Sequence, residues 1–484
     1  ETGSSPTSIK NYIQNAYLTF IPPPEYVALI GDVDGSYSVQ TYYDGHGHNS
    51  YGNECEGDHP YSQLDGTDLI PEVLIGRMSI RTSSELSVVS SKIINYEKAT
   101  YLGYLDDYFD RAAMAGDPSS SGISCAITKE YVAELLDAHG VDDVRLKTSG
   151  GSWSSWMEDQ LEEGVLFFNY RGYLGMSGFG NGNVDNANNG YKLSFATVLT
   201  CGTGSFSEDQ TTMSEKLFRS GTASNPKGAV AAIGTATWNT HTLFNNIMDM
   251  GIYDGLFVDK VETAGAALAS GKLALYNTYP TNPDDWVGAF TQWNNLMGDP
   301  ATHLWTKKPT IFSVSHVSNI TAGTNFIDIL VQDENGNNID GALLTLWNRF
   351  IPEPINIYSN DMGEATIDLT GLSGTSHTIT VTKNNFQPYS SLITVTSSGA
   401  ILSVDESINL LLDDNFGNGD GNLNPGETVV LSIPLINNGT EDLSGVSATL
   451  TTTSELVTII SGSVEYGTVN IEESSYGDFE ITLS

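Results

Sequence analysis

Basic residues are scarce in this chain: 20 Lys and Arg stand against 59 Asp and Glu, a formal net charge of −39. A surface of that sign repels phosphate, which argues against nucleic acid and anionic membrane as partners. It suits a Ca²⁺-rich or salty extracellular setting, or plain solubility. Cysteine is scarcer still. Cys55, Cys125 and Cys201 cannot all pair, and they show neither CxxC nor metal-knuckle spacing. That excludes a disulfide scaffold and leaves a free thiol that calls for a chemical explanation. There is no apolar run of the ~18 residues that a membrane-spanning helix needs. A secretory leader is lacking as well. Glu1-Thr2-Gly3 reads as a non-native scar, with the leader and any upstream segment removed. The chain stops at Ile481-Thr482-Leu483-Ser484, inside a strand-like pattern, so a C-terminal surface-attachment segment is expected to be missing too.

What the chain does contain is a β-branched apolar run, Phe195 to Leu199, that stops at Thr200-Cys201-Gly202-Thr203-Gly204. This reads as a buried strand that delivers a thiol to the carboxyl edge of a parallel sheet, where open α/β sheets carry their chemistry. The flanking glycines let a substrate approach the backbone, and nearby amides could hold an oxyanion. The plainer reading is a small buried thiol that packs like an apolar side chain.

Strands and helices alternate on either side of that run. Tyr26-Val-Ala-Leu-Ile-Gly ends in an acidic turn, followed by a loop with His46, His48, Asp58 and His59; the pair His46 and His48, which His59 could join, is a weak metal candidate or merely solvated. Pro71 to Arg77 contains another strand, and Ser83 or Ser84 caps a helix striped by Leu86, Val89, Ile93 and Ile94. After a Tyr- and Asp-rich linker, the pattern predicts a strand near 111–117, a helix over 126–139, a strand at 144–146 and a helix over Trp153–Glu163. Strands at 164–170 and 228–233 flank the Cys201 strand in sequence. Arg171-Gly172-Tyr173 and Thr237-Trp238-Asn239-Thr240-His241 lie just past their ends. Such alternation predicts a parallel sheet covered on both faces.

The texture changes near residue 308. Helical periodicity vanishes, and short alternating runs are separated by turn signals such as Glu334-Asn335-Gly336-Asn337-Asn338. Two β-sandwiches are expected, over 308–398 and 399–484. The second carries Asp413, Asn418, Asp420, Asn422 and Glu427 in a Gly- and Asn-rich loop. Closely spaced oxygen donors suit Ca²⁺; the alternative is an acidic turn without metal.

Several segments together resemble the gingipain-type cysteine peptidases: Tyr26 to Asp34, Pro71 to Arg77, Ile94-Asn-Tyr-Glu-Lys, Asn169 to Tyr173, Leu199 to Gly204, Lys227 to Gly234 and Gly298-Asp-Pro. The resemblance covers about residues 20–306. It implies a caspase-like α/β catalytic unit in two subdomains, 1–107 and 108–307, followed by immunoglobulin-like sandwiches. It also implies a bacterial protein, exported or at the cell surface, acting on protein or peptide and in many members binding Ca²⁺. The family's nucleophile falls on Cys201. Its histidine, in Asn-Tyr-x-Gly-His-Gly, falls on Tyr173, a poor base at neutral pH. His241 is the candidate replacement, Gly172 with Cys201 or Gly202 the candidate oxyanion donors, and Tyr173, Arg171, Trp238 and Cys125 the candidate substrate contacts. Three functions stay open at this point: an active endopeptidase, a catalytically silent relative that binds at a surface, and a structural or adhesive surface protein.

Overall fold

The computed structural model describes residues 3–43, 55–99, 101, 103, 106–238, 240–349, 353–370, 376–396, 400–405, 407–414, 417–439 and 441–484. His46 and His48 lie outside the described residues. The chain divides into two units, Glu1–Pro309 and Thr310–Ser484. The boundary is two residues beyond the expected one.

The strands of the first unit are β1 (Tyr26–Ile30), the short pair β2 (Tyr42–Tyr43) and β3 (Glu56–Gly57), β4 (Leu74–Met78), β5 (Arg111–Gly116), β6 (Asp143–Lys147), β7 (Phe167–Arg171), β8 (Ser194–Val198), β9 (Ala229–Thr235) and β10 (Asn294–Met297). Its helices are α1 (Pro6–Thr19), α2 (Ser83–Lys98), α3 (Pro118–Ser121), α4 (Ser124–Ala138), α5 (Trp153–Glu163), α6 (Asn181–Asn186), α7 (Met213–Arg219), α8 (Thr242–Phe257), α9 (Ala264–Thr278) and α10 (Trp286–Trp293). One eight-stranded sheet runs β1-β4-β10-β9-β8-β7-β5-β6. It is continuous across the expected 107/108 subdomain boundary.

The sheet is mixed, which corrects the all-parallel expectation. β5 to β9 are parallel to one another, but β10 is antiparallel to β9 and parallel to β4. The segment Asn294-Asn-Leu-Met has no apolar run to announce it; it follows α10 directly and fills the place between β4 and β9. The central strands are buried at every position because helices cover both faces. Period-two alternation sorts them into two cores: Phe167 and Phe195 pack on the α8 side, whereas Phe168, Tyr170, Ala196 and Val198 pack with Met157 and Leu161 of α5. Helix α2 begins one residue earlier than expected: Thr82 is its cap, in a reciprocal box with Glu85 that satisfies two backbone amides.

The second unit is all antiparallel or mixed β. Residues 310–396 form a four-stranded and a five-stranded sheet around one core that includes Ile327, Ile329, Leu344, Val381 and Ile393. Residues 402–483 form a five-stranded sheet and a separate pair, Leu443–Thr449 with Ser463–Val469, around Val446, Tyr466 and Phe479.

Candidate active site at the sheet edge

Because β5, β7, β8 and β9 are parallel, the residues after each arrive at one edge. Asp117 follows β5, Gly172 and Tyr173 follow β7, Cys201 follows β8, and Thr237 to His241 follow β9. The edge is held from beneath by charge. Asn169 and Arg171 share the inner face of β7 with Phe167. The Asn169 amide donates to Asp249 Oδ1 at 2.9 Å, and Asp249 Oδ2 is paired with Lys129, both side chains fully buried. Burial brings the Lys129 ammonium down to about 8, against the pull of Asp249.

Arg171 is 1% exposed. Its guanidinium donates to Leu199 O, to Thr242 O at 3.1 Å and to Asn246 Oδ1 at 2.9 Å. It therefore ties the end of β7 to the backbone two residues before Cys201 and to the first turn of α8. Cys125 is fully buried, and burial pushes its thiol up even though Arg171 and Lys129 pull it down. These two side chains offer a ligand no surface, which corrects their reading as substrate contacts. The period-two pattern already carried the signal, since Arg171 lies on the face of core residue Phe167.

On the outer face Tyr170 Oη lies 2.9 Å from Ser177 Oγ, which donates to Asp117 Oδ2. Burial raises the Tyr170 phenol to about 12. Burial also pushes the Asp117 carboxyl up, but hydrogen bonds from Ser119 and Ser177 outweigh it and leave the pKa below its ordinary value. Gly172 is required by crowding: a Cβ there would meet Tyr170 Oη at 2.2 Å. Its carbonyl accepts from Thr200 Oγ1 at 3.0 Å, joining the two strand ends.

Cys201 is half-buried. Among the described residues its Sγ has one hydrogen-bond partner, Thr240 Oγ1 at 3.0 Å. Gly202, at φ +71°, donates its amide to Thr237 O at 2.8 Å, so that N–H is already committed and the expected oxyanion donors reduce to Gly172 and Cys201. Trp238 lies with indole atoms 3.5 Å from where a Gly202 Cβ would stand, and its Nε1 donates to Glu208 Oε1 at 2.9 Å. Trp238 and Tyr173 are both exposed, at 38% and 56%.

His241 stands one residue beyond Thr240 as the N-cap of α8. Its Nδ1 accepts the Leu243 amide at 3.2 Å, and its ring packs against Phe244 and Trp286. An Nδ1 that accepts leaves the neutral ring's proton on Nε2, so in this arrangement the imidazole has no lone pair to spare. The remaining metal candidate, His59, is buried and engaged by Leu69 O and Lys272, and its neighbour Asp58 is engaged by Arg77.

In the second unit the carboxylates of the Asn/Gly loop hold backbone. Asp414 accepts from the Gly421 amide, Asp420 from Asn422, and Glu427 from Asn418 and Asn424. Asp413 ends the strand Leu411–Asp413. Among the described residues no three His, Cys, Asp or Glu side chains gather as a ligand set.

The site is a half-buried thiol at the carboxyl rim of parallel strands, with the exposed Trp238 indole beside the neighbouring Gly202. The sequence profile of Peptidase family C25 matches residues 1–305, and the chain belongs to that family of cysteine peptidases. Gingipain R1 of Porphyromonas gingivalis is 26% identical over 355 residues, 71% of this chain and 34% of that protein. Lys-gingipain HG66 of the same organism is 24% identical over 348 residues, 64% of this chain and 19% of that protein. The chain thus spans about a third of the length of Gingipain R1. The crystal structure of the Arg specific cysteine proteinase gingipain R matches with a TM-score of 0.70 at 22% identity, over 81% of this chain and 88% of that one. At that identity the likeness is one of fold. No described helix is long and apolar enough to cross a membrane.

Proposed function

We propose that this chain is an extracellular, gingipain-like cysteine endopeptidase with a caspase-like catalytic unit, in which Cys201 is the nucleophile. The single observation that carries this reading is the half-buried Cys201 thiol at the rim shared by β7, β8 and β9, in a chain of Peptidase family C25. Sγ adds to the carbonyl carbon of a bound polypeptide, and the Gly172 and Cys201 amides face the oxyanion. The thiol proton passes to His241 once that ring leaves the Leu243 amide, and returns to the departing amine as the C–N bond breaks. Tyr173 stands where the family's histidine is expected, and with Trp238 it forms the exposed walls that receive the peptide.

A second reading is a catalytically silent relative that binds peptide at a surface. Two observations favour it: the partner of Cys201 is a threonine, and His241 is engaged as a helix cap. Alkylation of Cys201 with iodoacetamide across pH 5–9 separates the two. The endopeptidase reading expects labelling faster than a free thiol with pKa ~8.5, and loss of that excess in His241→Ala. Labelling at the free-thiol rate with unchanged His241→Ala behaviour overturns it in favour of the silent relative.

We read the two β modules as immunoglobulin-like sandwiches, and the loop at Asp413, Asn418, Asp420, Asn422 and Glu427 as a Ca²⁺ site. The oxygen-only donor set fits a hard cation, which would take over the carboxylates that now hold backbone amides. Thermal unfolding in Ca²⁺ against EGTA tests this. A rise in Tm that Asp420→Ala removes supports the site, and no shift overturns it.

A further inference from the structure

At the amino end of β4, which the pairing of β10 with β9 and β4 places on the same sheet edge as the end of β9, a cavity of about 280 Å³ opens between the loop before β4 and helices α9 and α10. This is the low end of the range for small-molecule sites, and well above the ~150 Å³ that encloses benzene. Leu69, Pro71, Ala266, Leu273 and the Tyr276 ring give it apolar walls; its polar lining residues are Ser270, whose hydroxyl donates to Ala266 O of its own helix, and the pair Lys272 and Thr291. Both are almost wholly buried, at 6% and 1% exposure.

Neither polar group is satisfied by the protein in the usual way. Thr291 Oγ1 is buried with no hydrogen-bond partner among the described residues. Lys272 Nζ lies 3.2 Å from His59 Nδ1, a neutral neighbour. Asp58, the nearby carboxylate, is taken: both its oxygens accept from Arg77 at 2.7 Å, and Oδ1 also accepts from Thr41. Lys272 makes no salt bridge among the described residues. A buried ammonium without a counter-ion is costly, and the Lys272 side chain that carries this one lines the apolar space.

We propose that this cavity binds a small aliphatic carboxylate, its chain along the apolar walls and its headgroup paired with Lys272 and the Thr291 hydroxyl. Charge complementarity selects the headgroup. An alcohol of equal chain length leaves the ammonium without an anion, and an amine adds a second cation beside it. Burial holds the Lys272 ammonium down to about 7, with Asp58 pulling the other way, so an arriving carboxylate relieves that penalty. Burial first, and then Lys272, keep His59 well below its usual value, so it stays a neutral acceptor. The inference is independent of whether Cys201 turns over substrate.

Calorimetric titration of the full chain with octanoate and with octanol tests it. Octanoate is expected to bind saturably and about tenfold tighter than octanol, the size of one charge-assisted hydrogen bond. Lys272→Met is expected to abolish that preference while leaving octanol binding, and Ala269→Phe, which fills the cavity, to abolish both. If Lys272→Met fails to fold, Thr291→Val serves, with octanoate affinity falling about threefold or more and octanol unchanged. Non-saturable octanoate binding, equal affinity for the two ligands, a preference that survives Lys272→Met, or one that survives Thr291→Val where that variant serves overturns the proposal. So does tighter binding of N-acetylleucine than of octanoate, which would make the occupant a peptide terminus.

Discussion

Sγ of Cys201 and Oγ1 of Thr240 lie 3.0 Å apart, across the gap between the ends of β8 and β9. A hydroxyl at that distance can donate to a thiolate but cannot hold its proton. Thr240→Val is therefore expected to slow alkylation of Cys201 at pH 8 by roughly five- to tenfold, through loss of one hydrogen bond to the anion. Measured with iodoacetamide, an unchanged rate would mean that the hydroxyl donates elsewhere when the thiolate forms.

Arg171 and Leu199 form a second cross-strand tie, and it is mechanical. Arg171→Met leaves Leu199 O and Asn246 Oδ1 buried without this donor and takes one from the part-buried Thr242 O. A loss on the order of 3 kcal/mol or more is expected in urea unfolding. Arg171→Lys is expected to recover little, because an ammonium cannot reach three acceptors held in the plane of a guanidinium fork.

The Lys129–Asp249 pair is enclosed on all sides. Removing one charge strands the other, so Lys129→Met is expected to cost about 3–5 kcal/mol. The double change Lys129→Met with Asp249→Leu is expected to recover much of that in the same assay. A double variant no better than the single one would show that Asn169, not the charge, is what Asp249 serves.

Glu56 gives a pH signature. Burial raises its carboxyl from 4.5 to about 7, against the hydrogen bond from the Ser207 amide. The folded chain then holds a proton that the unfolded chain has released. The stability from this group is full below about pH 4.5 and is lost as pH rises through 7. Glu56→Gln keeps an acceptor for Ser207. It is expected to match the parent near pH 4 and to exceed it by about 1–3 kcal/mol at pH 8. Equal stability at both pH values would place the Glu56 pKa near its unperturbed value.

Much of this was legible from pattern alone. Helix α5 has the bounds Trp153–Glu163 read from the sequence. The Cys201 strand ends at Val198, one residue before the apolar run does. Helix α2 starts one residue early because a capping box outweighs any single serine, and the Thr82–Glu85 spacing was there to be read. Helix α1 and strand β10 were missed for a common reason. Neither has an unbroken apolar run, and β10 exists because two neighbouring strands leave it a place. The candidate site was half readable. The family resemblance suggested Arg171 as a substrate contact, yet its register with Phe167 sends Arg171 into the core.

The order of residues determined the alternation of strands and helices, the thiol set among glycines, the acidic surface and the switch to β structure near residue 308, because each is a local pattern of polarity or turn chemistry. Only the tertiary structure decided that Cys201 meets Thr240, that His241 caps a helix, and that Lys272 lies buried without a counter-ion. Those outcomes depend on which distant groups share one small volume, and no local pattern records which partner arrives first at a hydrogen bond.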